Sequence, residues 1–203
     1  MAEKVIDVVL LTKNSERMLR RCLDSLYSNV PVNRLIVVDA YSSDNTLSIL
    51  KDYPKVIIIF DDGTRATARQ KGIEVVETEW FMFLDGDIVL DNNWLSKEVL
   101  ECMRNPEVGA VQGFDYPVWG QQEVYDIREA MDVLRKRLRL KEKSIMLDRG
   151  FTGDTLIRTK IVKDIKIPSY LHFYEDTYIK RWIEKKGYRW VISETSTCKH
   201  YVN

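Results

Sequence analysis

The chain has 203 residues, 45% of them hydrophobic, and its 31 Lys and Arg are balanced by 31 Asp and Glu. That length allows one sizeable domain around one core, and a net charge of zero gives no general attraction to nucleic acid or to anionic membranes. Cys22, Cys102 and Cys198 lie far apart and form no CxxC pair, which argues against a disulfide framework or a zinc site and fits a reducing, cytoplasmic compartment. No stretch approaches the roughly 18 apolar residues of a membrane span, and the N-terminal residues run straight into an alternating apolar segment unlike a signal peptide.

Val5 to Leu11 predicts a buried strand. Ser15 to Tyr27 predicts an amphipathic helix with Met18, Leu19, Cys22, Leu23 and Leu26 on one face. Leu35 to Val38 reads as a second strand ending in Asp39, and Asp44-Asn45 can cap a helix carrying Leu47, Ile49 and Leu50. Val56 to Phe60 is the third strand, Thr64 to Glu77 the third helix and Trp80 to Leu84 the fourth strand. Strands that are apolar throughout and alternate with helices predict an α/β fold, with a mostly parallel central sheet covered by helices on both faces. Right-handed crossovers then gather the strand ends bearing Thr12, Asp39, Asp61 and Asp85 on one edge.

The second half is less regular. Trp94 to Met103 predicts a helix, Val108 to Gln112 a short strand and Gln121 to Lys143 a long helix. Gly150 to Asp154 reads as a mobile loop. Glu175 to Lys186 predicts a helix stopped by Gly187, followed by a last strand over Tyr188 to Ile192. The expectation is one domain spanning 1–203 in two lobes: a nucleotide-like lobe over 1–112, and 113–203, which could carry another substrate.

Asp85-Gly86-Asp87 is the most informative motif. It closes the apolar run Trp80 to Leu84, at the strand end where open α/β sheets bind ligands. Two carboxylates around a flexible glycine can face one cation, and oxygen ligands suit Mg²⁺ or Mn²⁺, which share their coordination with substrate phosphates. The tripeptide alone is equally compatible with a polar turn. Glu175-Asp176 alone is likewise compatible with carboxylates placed at a helix start for its dipole.

In order and spacing, Leu10-Leu11-Thr12-Lys13-Asn14, Ile36-Val37-Val38-Asp39, Ser42 to Thr46, Ala68-Arg69-Gln70-Lys71-Gly72, Leu84 to Asp87 and Tyr174-Glu175-Asp176 together resemble a family 2 glycosyltransferase of the Rossmann-like GT-A fold. The resemblance runs from Val5 to His200. Ala40-Tyr41 departs from it, standing where a more acidic or glycine-containing pair is common. The resemblance implies a metal-dependent transferase moving a sugar from a nucleotide-diphosphate sugar to a hydroxyl or a lipid phosphate, with inversion by direct displacement. It implies that Thr12 and Asn14 line the nucleotide pocket, that Asp39 accepts a hydrogen bond from the base or ribose, and that Arg69 approaches the phosphates. Asp85 and Asp87 match the DxD motif and would hold the ribose and the metal, Mg²⁺ or Mn²⁺. His200 would complete the metal shell. Asp176 would be the general base and Glu175 its positioning partner. Asp154 would bind acceptor hydroxyls.

The chemistry read from the residues agrees. A leaving nucleoside diphosphate needs charge stabilisation by a cation, and a hydroxyl acceptor needs a carboxylate to take its proton, so acids are needed in two places. Tyr116 and Trp119 can stack on a sugar or pack in the core, and His172 reads as a packing or acceptor-loop residue. The stretch 134–143, rich in Lys and Arg with Leu134, Leu138 and Leu140 between them, reads either as a solvated helix face or as a helix that brings the enzyme to the inner face of a membrane and a lipid-linked acceptor. A rival from another class is a haloacid-dehalogenase-type phosphatase with Asp85 as nucleophile. That motif belongs on a first strand, and Asp85 follows a fourth.

Overall fold

The computed structural model describes residues 5–119, 122–123 and 149–202. Its sheet begins as expected. Strands β1 (Ile6–Thr12), β2 (Val32–Asp39), β3 (Val56–Phe60) and β4 (Trp80–Asp85) are parallel in the order β3-β2-β1-β4. Helices α1 (Glu16–Asn29), α2 (Thr46–Leu50) and α3 (Arg65–Val75) make the crossovers. β5 (Ile88–Leu90) follows the Asp85-Gly86-Asp87 turn, and α4 (Lys97–Arg104) follows β5. The sheet then continues through β8 (Asp154–Arg158), β6 (Val108–Trp119), β9 (Arg189–Val202) and β5, and β7 (Gln122–Glu123) pairs only with β6. β8 runs antiparallel to β4 and β6, and β5 antiparallel to β9, while β6 and β9 are parallel. The short α5 (Thr159–Val162) and then α6 (Glu175–Lys185) close the order.

Two apolar clusters lie on opposite faces of this sheet. Leu10, Val37, Met82 and Leu84 meet α1, α2 and α4 on one face, and Val9, Ile36, Phe81 and Phe83 meet α3, α5 and α6 on the other. The alternation along β1 and β4 sends neighbouring residues to opposite faces, so strands buried on both sides are apolar through their centres, and the one buried acid near the start of β1, Asp7, is paired with Arg34 and Asn33. Gly72 on α3 sits against Val9, where a Cβ would collide with the valine side chain. Gly187, at φ +84°, ends α6 in the left-handed cap its sequence position suggested.

Two strands outrun their expected lengths. β6 continues from Gln112 to Trp119 and so crosses the expected lobe boundary, and β9 runs to Val202 instead of stopping at Ile192. The polar segment Ser193 to Thr197 hid that continuation. Its buried hydroxyls, Ser193 and Ser196, are satisfied locally: Ser193 pairs with Ser196 and with the exposed Thr195, and both Thr195 and Ser196 pair with Ser96. The expected helix 121–143, its basic part 134–143 and the Trp119 side chain lie outside the described residues. Among the described residues no helix is long and apolar enough to cross a membrane.

Candidate active site

The carboxyl edge of the parallel strands opens into a cavity of about 640 Å³, a size that suits a small organic ligand. The loop after β1 supplies Thr12, Lys13 and Asn14, the β4–β5 turn supplies Asp85, Gly86 and Asp87, and α3 supplies Arg65 and Arg69. Thus Thr12, Asn14, Arg69, Asp85 and Asp87, five of the six residues expected at a donor, share one wall system.

Asp39, the sixth, lies behind that wall. It is fully buried, its Oδ2 accepting from Thr12 Oγ1 at 2.7 Å and Ser42 Oγ at 2.6 Å, and its Oδ1 from the Ser42 N–H at 2.7 Å. A carboxylate so enclosed needs every one of those donors. Asp39 therefore orients Thr12 and ties the loop after β2 in place. That loop is joined to the loop after β1 by further bonds: Asn14 N–H to Ser42 Oγ, Ser43 N–H to Asn14 Oδ1, Ser15 N–H to Thr46 Oγ1 and Glu16 N–H to Asp44 Oδ2. Asn14, at φ 48°, and Tyr41, at φ 55°, take the left-handed backbone these tight turns require. Tyr41 does so where glycine would be easier, and it stacks on Phe60 with centroids 5.2 Å apart. Gly86 uses no such freedom. A Cβ there would meet Ser15 at 3.7 Å and the Leu11 carbonyl at 3.9 Å, both ordinary contacts, so its smallness keeps cavity space and does not bend the backbone.

Arg69 joins the two acidic pairs. It is buried, with Nη2 at 3.1 Å from Asp85 Oδ1, Nε at 3.2 Å from Glu175 Oε1, and its guanidinium 4.8 Å from the centroid of Phe83. Burial alone would discharge the group, but the charges of Asp85 and Glu175 raise its affinity for the proton instead. Among the described residues Arg69 Nη1 is buried without a hydrogen-bond partner, an orphan donor beside the cavity. Glu175 and Asp176 open α6 as expected, but neither lines the cavity. Asp176 is buried, accepts from the Thr177 N–H at 2.6 Å, and lies 3.4 Å from Arg149 Nε, an ion-pair distance without hydrogen-bonding geometry. Tyr174, the residue before them, is held at φ 67° with an exposed ring beneath Arg149.

His200 stands between two carboxylates. Its Nε2 is 3.5 Å from Asp87 Oδ2 and its Nδ1 is 3.1 Å from Asp115 Oδ2. Burial lowers its affinity for the proton, yet the bonds and charges of Asp115 and Asp87 prevail and push its pKa up to about 10. Burial likewise opposes ionisation of Asp87, but His200, aided by the charge of Arg65, holds that carboxyl below its ordinary value. The expected set of Asp85, Asp87 and His200 is not gathered as three ligands, because Asp85 is turned onto Arg69. Among the described residues no three His, Cys, Asp or Glu side chains converge as a metal site. Asp87 and His200, with Oδ2 and Nε2 3.5 Å apart, are an oxygen and an imidazole, donor types that a divalent cation such as Mn²⁺ accepts.

Asp154 is a correction. The sequence placed it on a mobile loop facing an acceptor. It is instead the first residue of β8, only 2% exposed, and accepts from Trp94 Nε1 at 3.0 Å. Burial, reinforced by the charge of Asp115, pushes its pKa up to about 8, so at neutral pH it is largely a neutral acid and cannot reach a sugar. The loop before it is packed: Thr152 is buried, and a Cβ on Gly150 would press on the Asp176 carbonyl. Tyr116 packs edge-on against Phe114.

Sequence reasoning missed Lys13, Arg17, Asp62, Arg65 and Phe173 on the cavity wall and left the role of His172, which also lines it, open. Asp61, expected on the carboxyl edge with no role given, lines the cavity too, following β3 as Asp39 follows β2. Arg65 opens α3 after the Thr64 cap, where Thr64 Oγ1 accepts from the Thr67 N–H. Nothing local marks Phe173, which reaches the cavity from the loop before α6 and carries Arg65 5.8 Å from its ring centroid.

Comparison with known proteins agrees with this architecture. Residues 7–165 match the model of glycosyl transferase family 2. The SPbeta prophage-derived glycosyltransferase SunS of Bacillus subtilis is 35% identical over 92 residues, covering 44% of this chain and 20% of SunS. The poly-beta-1,6-N-acetyl-D-glucosamine synthase of Staphylococcus epidermidis is 29% identical over 114 residues, covering 53% of this chain and 28% of the synthase. The chain thus spans well under half the length of these curated relatives. Residues 1–349 of S. aureus TarS superpose with a TM-score of 0.72 at 19% identity, over 99% of this chain and 60% of that one. A mannosyltransferase from Pyrobaculum calidifontis, solved with GDP-Man and Mn²⁺, gives 0.73 at 18% identity over 98% and 57%. These structures share the GT-A fold. With a family match over most of its length and that fold throughout its described residues, the chain belongs to glycosyl transferase family 2.

Proposed function

We propose that the chain transfers a sugar from a nucleoside-diphosphate sugar to a saccharide or lipid-linked acceptor, using Mg²⁺ or Mn²⁺. The observation that carries this is Arg69, whose buried guanidinium links Asp85 of the cavity to Glu175 of α6 and keeps one donor unpartnered. On this reading residues 1–112 hold the donor and 113–203 the acceptor. Thr12 and Asn14 contact the nucleoside, with Asp39 acting through Thr12. Arg65, Lys13 and the open edge of Arg69 face the diphosphate. Asp87 and His200 hold the cation, which would offset the charge that develops on the departing diphosphate.

Asp176 would take the proton of an acceptor hydroxyl once Arg149 moves aside, and Glu175 holds Arg69 at the junction of the two sites. Attack from the face opposite the leaving group gives inversion. With a phosphate acceptor the nucleophile is already ionised, and Asp176 then binds instead of deprotonating. The phosphatase reading gains nothing: Asp85 is held by Arg69 and not free to attack, and neither the family nor the matched structures support it.

The test is calorimetric titration of wild type and Asp87→Ala with UDP, GDP, dTDP and CDP, with and without Mn²⁺. UDP and GDP come first, because TarS has been solved with UDP-GlcNAc and the Pyrobaculum enzyme with GDP-Man. Micromolar binding of one nucleotide that requires both Mn²⁺ and Asp87 is expected. Binding of none, with turnover of a simple phosphate ester, would overturn the proposal.

A further inference from the structure

Asp115 has no part in the assignments above, yet it makes the shorter of the two contacts to His200. Strand pairing places it there. β9 lies between β6 and β5, with Asp115 of β6 level with Cys198 and Ile88 of β5 level with His200 itself. The Tyr201 N–H bonds the Asp87 carbonyl, which fixes the β9 backbone against the β4–β5 turn. The imidazole is therefore clamped edge-on between strands, with Asp115 Oδ2 3.1 Å from Nδ1 and Asp87 Oδ2 3.5 Å from Nε2.

From this arrangement we infer that Asp115 is a positioning residue for metal binding: it takes the Nδ1 proton of His200 in a hydrogen bond and so presents Nε2, beside Asp87, as a ligand for the divalent cation. The inference rests on the metal-dependent reading above. Its chemistry is general. A neutral imidazole carries one N–H and one lone pair, and an acceptor on one nitrogen decides which nitrogen is left to ligate. Ligating histidines commonly give their other N–H to a carboxylate, which fixes the ring and strengthens the donor. Two ligands roughly 2.1 Å from one cation lie about 3 Å apart when adjacent, so the 3.5 Å between Asp87 Oδ2 and His200 Nε2 needs only a small closure.

The surroundings show that Asp115 is not there for the fold alone. Its charge bears on the buried Asp154, against which the charge of His200 acts only in part. A carboxylate near another buried carboxyl opposes folding, and a neutral residue would relieve that repulsion. An anion at 115 is explained by the imidazole it faces. The role also passes entirely through His200, which sets the form of the test.

The test measures Mn²⁺ alone, by electron paramagnetic resonance of free and bound metal, on the full chain and on Asp115→Ala, Asp115→Asn, His200→Ala, Asp87→Ala and the Asp115→Ala/His200→Ala double variant. Asp115→Ala should weaken Mn²⁺ binding by about ten- to a hundred-fold. Asp115→Asn, which keeps an acceptor oxygen without the charge, should fall between it and wild type. The double variant should bind no more weakly than His200→Ala. With diamagnetic Mg²⁺ bound in place of Mn²⁺, imidazole ¹⁵N shifts should show the Nδ1–H tautomer of His200 lost in Asp115→Ala. Wild-type Mn²⁺ affinity in Asp115→Ala alongside a weakened His200→Ala would overturn the inference and leave the metal site standing, as would fully additive losses in the double variant. Unchanged binding in both Asp87→Ala and His200→Ala would remove the metal site and the inference with it.

Discussion

The two acidic pairs of this molecule are held in opposite ways. Asp85 and Asp87 sit on a turn at the cavity, and Asp87 keeps a half-exposed carboxylate facing it. Glu175 and Asp176 are buried at the start of α6, each against an arginine, Arg69 for one and Arg149 for the other. A carboxylate open to a polar cavity can exchange its partner for an arriving cation at little cost. A buried carboxylate paired with a guanidinium is costly to separate, because an unpaired charge in the interior loses its solvation and its partner together. Asp87 of the first pair is thus ready for a ligand, whereas Asp85, held by Arg69, and the second pair must be released before they can act.

This contrast can be broken in three places. The largest effect is expected from Asp176→Asn. It should lower transfer to a hydroxyl acceptor by about 10²- to 10⁴-fold, the usual contribution of a general base. Nucleotide binding by calorimetry should be unchanged, and retained turnover would refute the base assignment. Arg69→Leu strikes both pairs at once. It leaves Glu175 buried beside an apolar side chain and should destabilise the fold by about 3–5 kcal/mol, read by denaturant unfolding. A loss confined to activity would show that Arg69 serves the ligand and not the fold.

Asp154 sharpens the comparison, since it is buried without an ion pair among the described residues, and the charge of His200 only partly offsets its burial. Its folded pKa of about 8 lies above that of an unfolded aspartate. The folded state therefore holds a proton that the unfolded chain has released, and stability falls as pH rises between about 4 and 8. Asp154→Asn should flatten that slope, with a smaller effect than Arg69→Leu at neutral pH. Melting temperatures across the window check it, and an unchanged slope would assign the pH dependence to other groups.

The parallel half of the fold was legible because its central strands are buried on both faces, and uniform apolar runs such as Trp80 to Leu84 admit few other readings. Thr12, Arg69, Asp85 and Asp87 were legible because strand ends on one edge must converge. What failed depended on partners remote in sequence. Asp154 looks like a loop residue beside its glycines until Trp94, 60 positions away, is seen to claim it. The length of β9 is hidden by hydroxyls that satisfy one another only after Ser96 arrives from the loop before α4. Arg149 over Asp176 has no local signature at all.

The loops after β1 and β2 are stitched to each other through Asn14, Ser15, Ser42, Ser43 and Thr46, with Asp39 beneath them. Their conformational entropy has already been lost in folding, so a nucleoside docking against them has little order left to impose. On that side of the cavity association should resemble a key meeting a fixed ward, with rates set by diffusion and charge. The slow adjustments of a catalytic cycle are left to the opposite side, where Arg149 and Tyr174 stand over Asp176.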